Sequence, residues 1–382
     1  MYKVMISVGE ASGDLHGASV AAALRAADPD LRIFGMGGAM MRSAGVDIVY
    51  DIAELGVMGL VEIVKSLPKL FRLRDRLREV MIRERPDVLV VIDYPGFNMR
   101  LAKVAKELGI PVVSYISPSA WAWGRGRAKE VAETVDRVAA IFPFEADVYR
   151  EAGANVTFVG HPLIDIVKPT LTKEEAYAHF QADPARPLVL LMPGSRRQEI
   201  EELLPHMLAA AEKIQNTIPE CQFFIPVAST ISREMLQSII SGYQVRVELT
   251  SGQVYDLMQI ADLAVAASGT ATLETSLLNL PTIIIYKVVP LTYWLGKFLV
   301  KIPHIGLPNI IAGRAVVPEL LQGEANADNI ARQAIDILGN PARREKILAD
   351  LAEVRQKLGE SGAVGRVARV ILEVAEANHG GK

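Results

Sequence analysis

The sequence predicts an α/β protein built from two Rossmann-like, doubly wound parallel-sheet domains facing an interdomain cleft, with helices at the C-terminal end. Three observations carry this. Short, almost wholly apolar runs alternate with segments of helical period, which is the pattern of a parallel sheet covered on both faces. The alternation breaks at a Pro- and Lys-containing connector and then starts again. Several of the runs also end in turns rich in Gly, hydroxyls or acids that lead into a helix, where open α/β sheets hold their ligands.

In the first half the strands are read at "YKVMISV", "LRIFGM", "VDIVY", "DVLVVID", "PVVSYIS", "RVAAIF" and "VTFVG". The connector is "VGHPLIDIVKPTLTKEE". In the second half they are "RPLVLLMPGS", "QFFIPVA", "VRVELT", "LAVAAS" and "TIIIY", and from about Asn326 only helical pattern remains. Domains are drawn at 1–165, 166–345 and 346–382, the last as helices packing back on the first domain. A length of 382 residues accommodates two such cores.

Lys plus Arg number 41 against 44 Asp plus Glu, a balance with no global attraction to nucleic acid, so an anionic partner must be met by a local patch. A single cysteine, Cys221, excludes a disulfide framework and fits a reducing compartment. The N-terminus enters a strand at once, without signal-peptide regions, so the mature chain is expected to start there. "TIIIYKVVPLTYWLGKFLVKIP" is interrupted by Lys287, Pro290, Lys297 and Lys301, too early to span a bilayer, although it can lie on one.

The opening turn, "GEASGDLHG", has Glu10, Ser12 and Asp14 where a dinucleotide fingerprint needs glycines, and carboxylates repel a pyrophosphate. It suits hydroxyls or protons. Asp93 ends the apolar run "VLVVID" and reads either as a partly desolvated general base or as a cap on the next helix. His16 is either catalytic or a packing residue, and the glycines of "GMGG" allow close approach of chain and ligand. "DPD", Asp28–Asp30, resembles a metal-binding motif but sits at the opposite sheet edge, as an ordinary turn.

In the second half Gly194, Ser195 and Arg196 open a helix after a buried strand, and Ser268, Gly269, Thr270 and Thr272 repeat the plan. Two such helix starts suit a diphosphate, and Glu274 can accept from both hydroxyls of a ribose or simply favour the helix dipole. "SPSAWAWGRGRAKE" sets Trp121 and Trp123 beside Arg125, Arg127 and Lys129, suited to a sugar face, a phosphate or a lipid headgroup. Residues 55–80 read as a core helix or as an interfacial segment, with Val57, Met58, Leu60, Val61 and Val64 beside Lys65, Lys69, Arg72 and Arg74.

"GEASGDLHG", "LGVMGLVEI", "IDYPGFN", "SPSAWAW", "FPFE", "GHP", "MPGSR", "SGTATLE" and "LPNIIAGR" stand in one order from Gly9 to Arg314. Together they resemble the bacterial lipid-A-disaccharide synthases, glycosyltransferases of the GT-B fold. The resemblance implies transfer of 2,3-diacylglucosamine from its UDP derivative to 2,3-diacylglucosamine 1-phosphate, forming a β-1,6 linkage and UDP without a metal or other cofactor. Given that reaction, the residues read as catalytic are Asp93 as base, Glu10 as second choice, Asp14 in a proton relay and Arg196 on the diphosphate. Substrate binding falls to Ser12, Gly194, Ser195, Ser268, Gly269, Thr270, Thr272, Glu274 and Asn309. The resemblance also implies a cytoplasmic protein, peripheral on the inner face of the inner membrane, as a homodimer exchanging C-terminal parts. Within the same fold the alternatives are an N-acetylglucosaminyl transferase and a UDP-sugar 2-epimerase; outside it, a sugar-nucleotide-binding protein without chemistry, which could lose Asp93 without consequence.

Overall fold

Two parallel sheets organise the chain. The structure is a computed structural model that describes residues 2–55, 60–118, 125–228, 230–287 and 303–379, the side chains of residues 60–67 and 125 excepted. Strands β1 (Lys3–Ser7), β2 (Arg32–Gly37), β3 (Asp47–Asp51), β4 (Val88–Ile92), β5 (Val112–Tyr115), β6 (Arg137–Ala140) and β7 (Val156–Phe158) form a seven-stranded sheet in the order β3-β2-β1-β4-β5-β6-β7. Strands β8 (Leu188–Met192), β9 (Gln222–Pro226), β10 (Val247–Thr250), β11 (Leu263–Ala267), β12 (Thr282–Tyr286) and β13 (Glu319–Leu321) form the second, in the order β10-β9-β8-β11-β12-β13. The central strands β4, β8 and β11 are buried along their whole length, as helices on both faces require. β13, three residues at the sheet edge, is too short to show a period and was not among the expected strands.

The helices of the first half are α1 (Ala11–Ala27), α2 (Ala39–Ser43), α3 (Leu60–Glu84), α4 (Pro95–Glu107), α5 (Arg125–Thr134) and α6 (Pro143–Glu151). Those of the second are α7 (Leu163–Ile166), α8 (Lys173–Phe180), α9 (Arg197–Thr217), α10 (Arg233–Ile240), α11 (Val254–Met258), α12 (Thr270–Leu277), α13 (Leu307–Ala312), α14 (Ala327–Gly339) and α15 (Pro341–Lys357), and α16 (Ala363–His379) closes the chain. On α3, Leu73, Leu77, Val80 and Met81 are buried at helical spacing while Lys69 and Arg72 stay exposed, so this part of the helix has one core face.

The chain divides into a first unit, Met1–Pro162 with Leu358–Lys382, and a second, Leu163–Lys357. The return to the first unit therefore comes at Leu358, not at residue 346. α15 buries Ile347, Leu351 and Val354 and its Asp350 and Glu353 bind Arg314, which holds it in the second unit. α16 alone packs back, burying Val367, Val370, Ile371 and Val374 against the first unit. Arg366 Nε donates to Val159 O at 2.8 Å and Asn378 Nδ2 to Asp87 O at 3.0 Å, fixing both ends.

Candidate active site

In the second sheet β8 and β11 are neighbours, with β9 and β10 on one side and β12 and β13 on the other. Strand order reverses between them, and the carboxyl ends of such a pair leave a crevice. β8 turns through Pro193, Gly194 and Ser195 into α9, and β11 through Ser268 and Gly269 into α12; both turns border one cavity of about 810 Å³. Neither helix start carries a side-chain cap, so its first amide N–H groups are available to an anion. Gly194 has φ +108°, and a side chain there would strike the Glu199 carboxylate. Ser195 and Thr270 are exposed, and Ser268 is half-buried with its Oγ 3.4 Å from Ile305 O.

Arg196 borders the same cavity and is paired with an acid of α9. Its Nη1 donates to Glu199 Oε1 at 2.8 Å, with 82% of the side chain exposed. Such an exposed pair is worth only about 0–1 kcal/mol, so a diphosphate can displace it. Across the cavity Tyr255 Oη donates to Glu274 Oε1 at 3.0 Å, and no described residue donates to Oε2. Burial pushes the Glu274 carboxyl above its ordinary range, and the tyrosine partly offsets this.

The first sheet repeats the arrangement at β1 and β4, with β2 and β3 on one side and β5, β6 and β7 on the other. After β4, Asp93 and Tyr94 are both left-handed, at φ +51° and +50°, at a cost of about 1–3 kcal/mol each. Pro95 then opens α4. Buried Asn98 holds the turn: its Nδ2 donates to Asp93 O at 2.7 Å and to Ile92 O and Ser7 O at 3.2 Å each, and its Oδ1 accepts from Ser7 Oγ at 2.7 Å. Gly9, at the end of β1, lies so close to the Tyr94 ring that no side chain fits there.

The strained turn leaves Asp93 half-buried, with no described residue hydrogen-bonded to its carboxylate. His16 is close enough to feel it: burial pushes the imidazole pKa down, and the Asp93 charge pulls it back up. Glu10 precedes α1 as an exposed residue whose side chain caps nothing, and Ser12 is exposed in the first turn.

Three expected site residues have another task. Asp14 is buried, and its carboxylate accepts from Gly38 N at 2.7 Å, Met40 N at 2.9 Å and Met41 N at 3.2 Å; it clamps the start of α2, and of the "GMGG" glycines Gly38 packs on Asp14, Gly35 on the Ile6 backbone and Gly37 on Met41. Thr272 is fully buried and donates to Gly269 O at 2.7 Å. Asn309 is also fully buried, its amide donating to Val317 O and Glu319 Oε1 and its oxygen accepting from Val316 N and Val317 N. Four bonds exhaust an asparagine, and all three side chains bond the backbone of the turns around them.

"DPD" is a turn, with Asp30 N donating to Asp28 Oδ1 at 3.0 Å. Among the described residues no group of three or more His, Cys, Asp or Glu could hold a metal ion. Residues 57–59, Trp121, Trp123, Trp294, Lys297, Phe298 and Lys301 lie outside the described residues, as do the side chains of Leu60, Val61, Val64, Lys65 and Arg125. No helix among the described residues is long and apolar enough to cross a membrane.

Three residues of the two sites had no role in the sequence reading. Asn98 stands inside "IDYPGFN", but its partners on β1 are distant in sequence. Tyr255 opens α11 after β10 with no motif around it. Arg233, which borders the large cavity and donates to Leu249 O at 3.1 Å, follows a strand end at the start of α10; that placement was the available signal.

The family model described as lipid-A-disaccharide synthetase matches residues 4–370. The lipid-A-disaccharide synthase of Geobacter sulfurreducens is 46% identical over 98% of this chain and 97% of its own, and that of Myxococcus xanthus 42% identical over 97% of this chain and 97% of its own. Among solved structures, UDP-GlcNAc 2-epimerase from Neisseria meningitidis bound to UDP-GlcNAc superposes with a TM-score of 0.68 at 15% identity, over 97% of this chain and 100% of that one. A glycosyltransferase from Rickettsia africae superposes with a TM-score of 0.58 at 13% identity, over 99% and 98%. At those identities the structures establish the two-domain GT-B architecture alone, and the epimerase alternative gains nothing from them. The family match and the full-length relatives establish the rest: the chain belongs to the lipid-A-disaccharide synthase family.

Proposed function

We propose that this chain transfers 2,3-diacylglucosamine from its UDP derivative to a hydroxyl of 2,3-diacylglucosamine 1-phosphate, giving the β-1,6 disaccharide 1-phosphate and UDP. The observation that carries it is the pairing of chemistries: a carboxylate to which no described residue donates at one switch point, uncapped helix starts and an arginine at the other. Asp93 takes the acceptor hydroxyl proton as the new C–O bond forms. The bond from the anomeric carbon to the diphosphate breaks with its electron pair leaving on UDP, whose growing charge is met by Arg196 and the starts of α9 and α12. Glu274 Oε2 serves the ribose, and Glu10 and Ser12 line the acceptor side. The first unit is the acceptor half, the second the UDP-sugar half. The reading needs no metal or other cofactor.

Membrane association belongs to the same proposal, since both substrates carry acyl chains. Phe71 is 43% exposed, with the Arg74 and Arg100 guanidiniums 5.2 and 5.4 Å from its ring centre, next to exposed Lys69 and Arg72. An apolar tip among cations suits an anionic bilayer surface. The protein then works on the cytoplasmic face of the inner membrane, as a homodimer. Incubation with the two diacylated substrates tests the reaction: UDP and a disaccharide phosphate should appear together, and UDP-sugar consumption without a disaccharide would overturn it. Salt-sensitive flotation with anionic vesicles tests the membrane part, which fails if the protein ignores them, and light scattering the dimer.

A further inference from the structure

Glu274 borders the large cavity of the second unit; Tyr255, half-buried on α11, does not, and meets the carboxylate from behind. Its Oη donates to Glu274 Oε1 at 3.0 Å. Burial and the Glu274 charge both push the tyrosine hydroxyl above its ordinary range, so it stays a donor. α11 is five residues long, too short to stand as a helix by itself, and the unit pins it from two directions. Leu257 and Met258 are buried in the core. The Asp256 carboxylate accepts from Thr170 N at 2.6 Å, Leu171 N at 2.7 Å and Thr170 Oγ1 at 2.9 Å, and Gln259 Nε2 donates to Leu171 O at 2.9 Å. Glu274 stands on α12 between buried Leu273 and Thr275. Both partners are therefore fixed at the backbone, and one carboxylate oxygen is fixed with them.

We infer that Tyr255 is a positioning residue for the nucleotide: it holds Glu274 by Oε1, presents Oε2 to the ribose, and thereby makes the site select ribonucleotides over their deoxy counterparts. This rests on the ribose role given to Glu274 above. A carboxylate held in place has less rotamer freedom to lose when a hydroxyl binds. A held acceptor left without its hydroxyl is also a penalty that a deoxy ligand cannot avoid. An unheld Glu274 swings toward water instead, and both advantages go.

UDP, 2′-deoxy-UDP and 3′-deoxy-UDP are titrated calorimetrically into wild type, Tyr255→Phe, Glu274→Ala and the double variant. Wild type should bind UDP about 10- to 100-fold more tightly than at least one of the deoxy analogues, the worth of one hydrogen bond to a charged acceptor. Tyr255→Phe keeps the ring and should keep the melting temperature, yet weaken UDP until that ratio falls to a few-fold, with the discriminated analogue bound as before. Because Tyr255 acts through the carboxylate, adding Tyr255→Phe to Glu274→Ala should cost almost nothing more. Equal weakening of all three ligands in Tyr255→Phe, unchanged selectivity, or additive losses in the double variant overturns the inference and leaves the ribose role of Glu274 standing. Wild type binding all three ligands alike overturns both. Selectivity that depends on Tyr255, in a protein that forms no disaccharide from the two diacylated substrates, upholds the inference and removes the reaction proposed above.

Discussion

The β1–β4 and β8–β11 switch points share one architecture and hold opposite chemistry. At the first, the strands end in Glu10 and Asp93, and the backbone after β4 is forced left-handed and pinned by Asn98. At the second, they end in Gly–Ser turns that lead into helices without side-chain caps, with Arg196 at one of them. A doubly wound sheet therefore supplies a crevice without deciding what enters it. A few strand-end residues decide: carboxylates draw hydroxyls and protons, amides and a guanidinium draw phosphates.

The comparison breaks most visibly at Asp93. Asp93→Asn preserves the shape of the turn and removes the proposed proton acceptor, and turnover should fall about 100- to 10,000-fold. UDP affinity, which the proposed function assigns to the other unit, should stay within a few-fold by calorimetry. Near-normal turnover in Asp93→Asn beside a dead Glu10→Gln would move the base to the opening turn. Arg196→Ala is the counterpart in the second unit. Losing one contact to a departing oxyanion costs about 100- to 1,000-fold in rate, and because the Glu199 pair is surface-exposed, the melting temperature should hardly move. A well-folded Arg196→Ala with wild-type kinetics removes Arg196 from the site.

Strand ends were legible because burial on both faces writes each central strand as an uninterrupted apolar run; "VLVVI" and "LVLLM" show it in five residues each. The polar residues after those runs were legible as types but not as tasks. Asp14, Thr272 and Asn309 look like ligand-binding residues in their motifs, yet Asp14 and Asn309 bond backbone that the fold brings near and Thr272 bonds the backbone of its own turn. Asn309→Ala tests that distinction. It leaves two buried N–H groups and Glu319 short of partners, a loss of order 3 kcal/mol, or roughly 6–12 °C in melting temperature for a unit of this size. UDP affinity should change little; a weaker UDP complex at an unchanged melting temperature would return Asn309 to the binding site.

The smallest expected effect separates the units by what they bury. In the first, Glu145 and His161 are buried; in the second, the buried polar side chains described are Thr, Ser and Asn, with Asp256 as the one acid. Burial raises Glu145 from 4.5 to about 7, against the lowering effect of the Ile141 and Phe142 N–H groups, and lowers His161 from 6.5 to about 3. The folded state thus binds the Glu145 proton more tightly than the unfolded chain, so Glu145 adds stability as pH falls from about 7 to 4.5. His161 works the other way: the unfolded chain takes its proton first, and stability is lost as pH falls from 6.5 toward 3. Between 4.5 and 6.5 the two slopes, each at most roughly 1.4 kcal/mol per pH unit, oppose. Glu145→Gln removes one and leaves the other. Relative to wild type, it should lose about 2 kcal/mol more between pH 7.5 and pH 5, read as a shift in the urea midpoint, while Thr272→Val in the second unit should follow the wild-type pH profile. If Glu145→Gln also follows the wild-type profile, Glu145 is ionised in the fold over that range, a buried charge held by the two N–H groups.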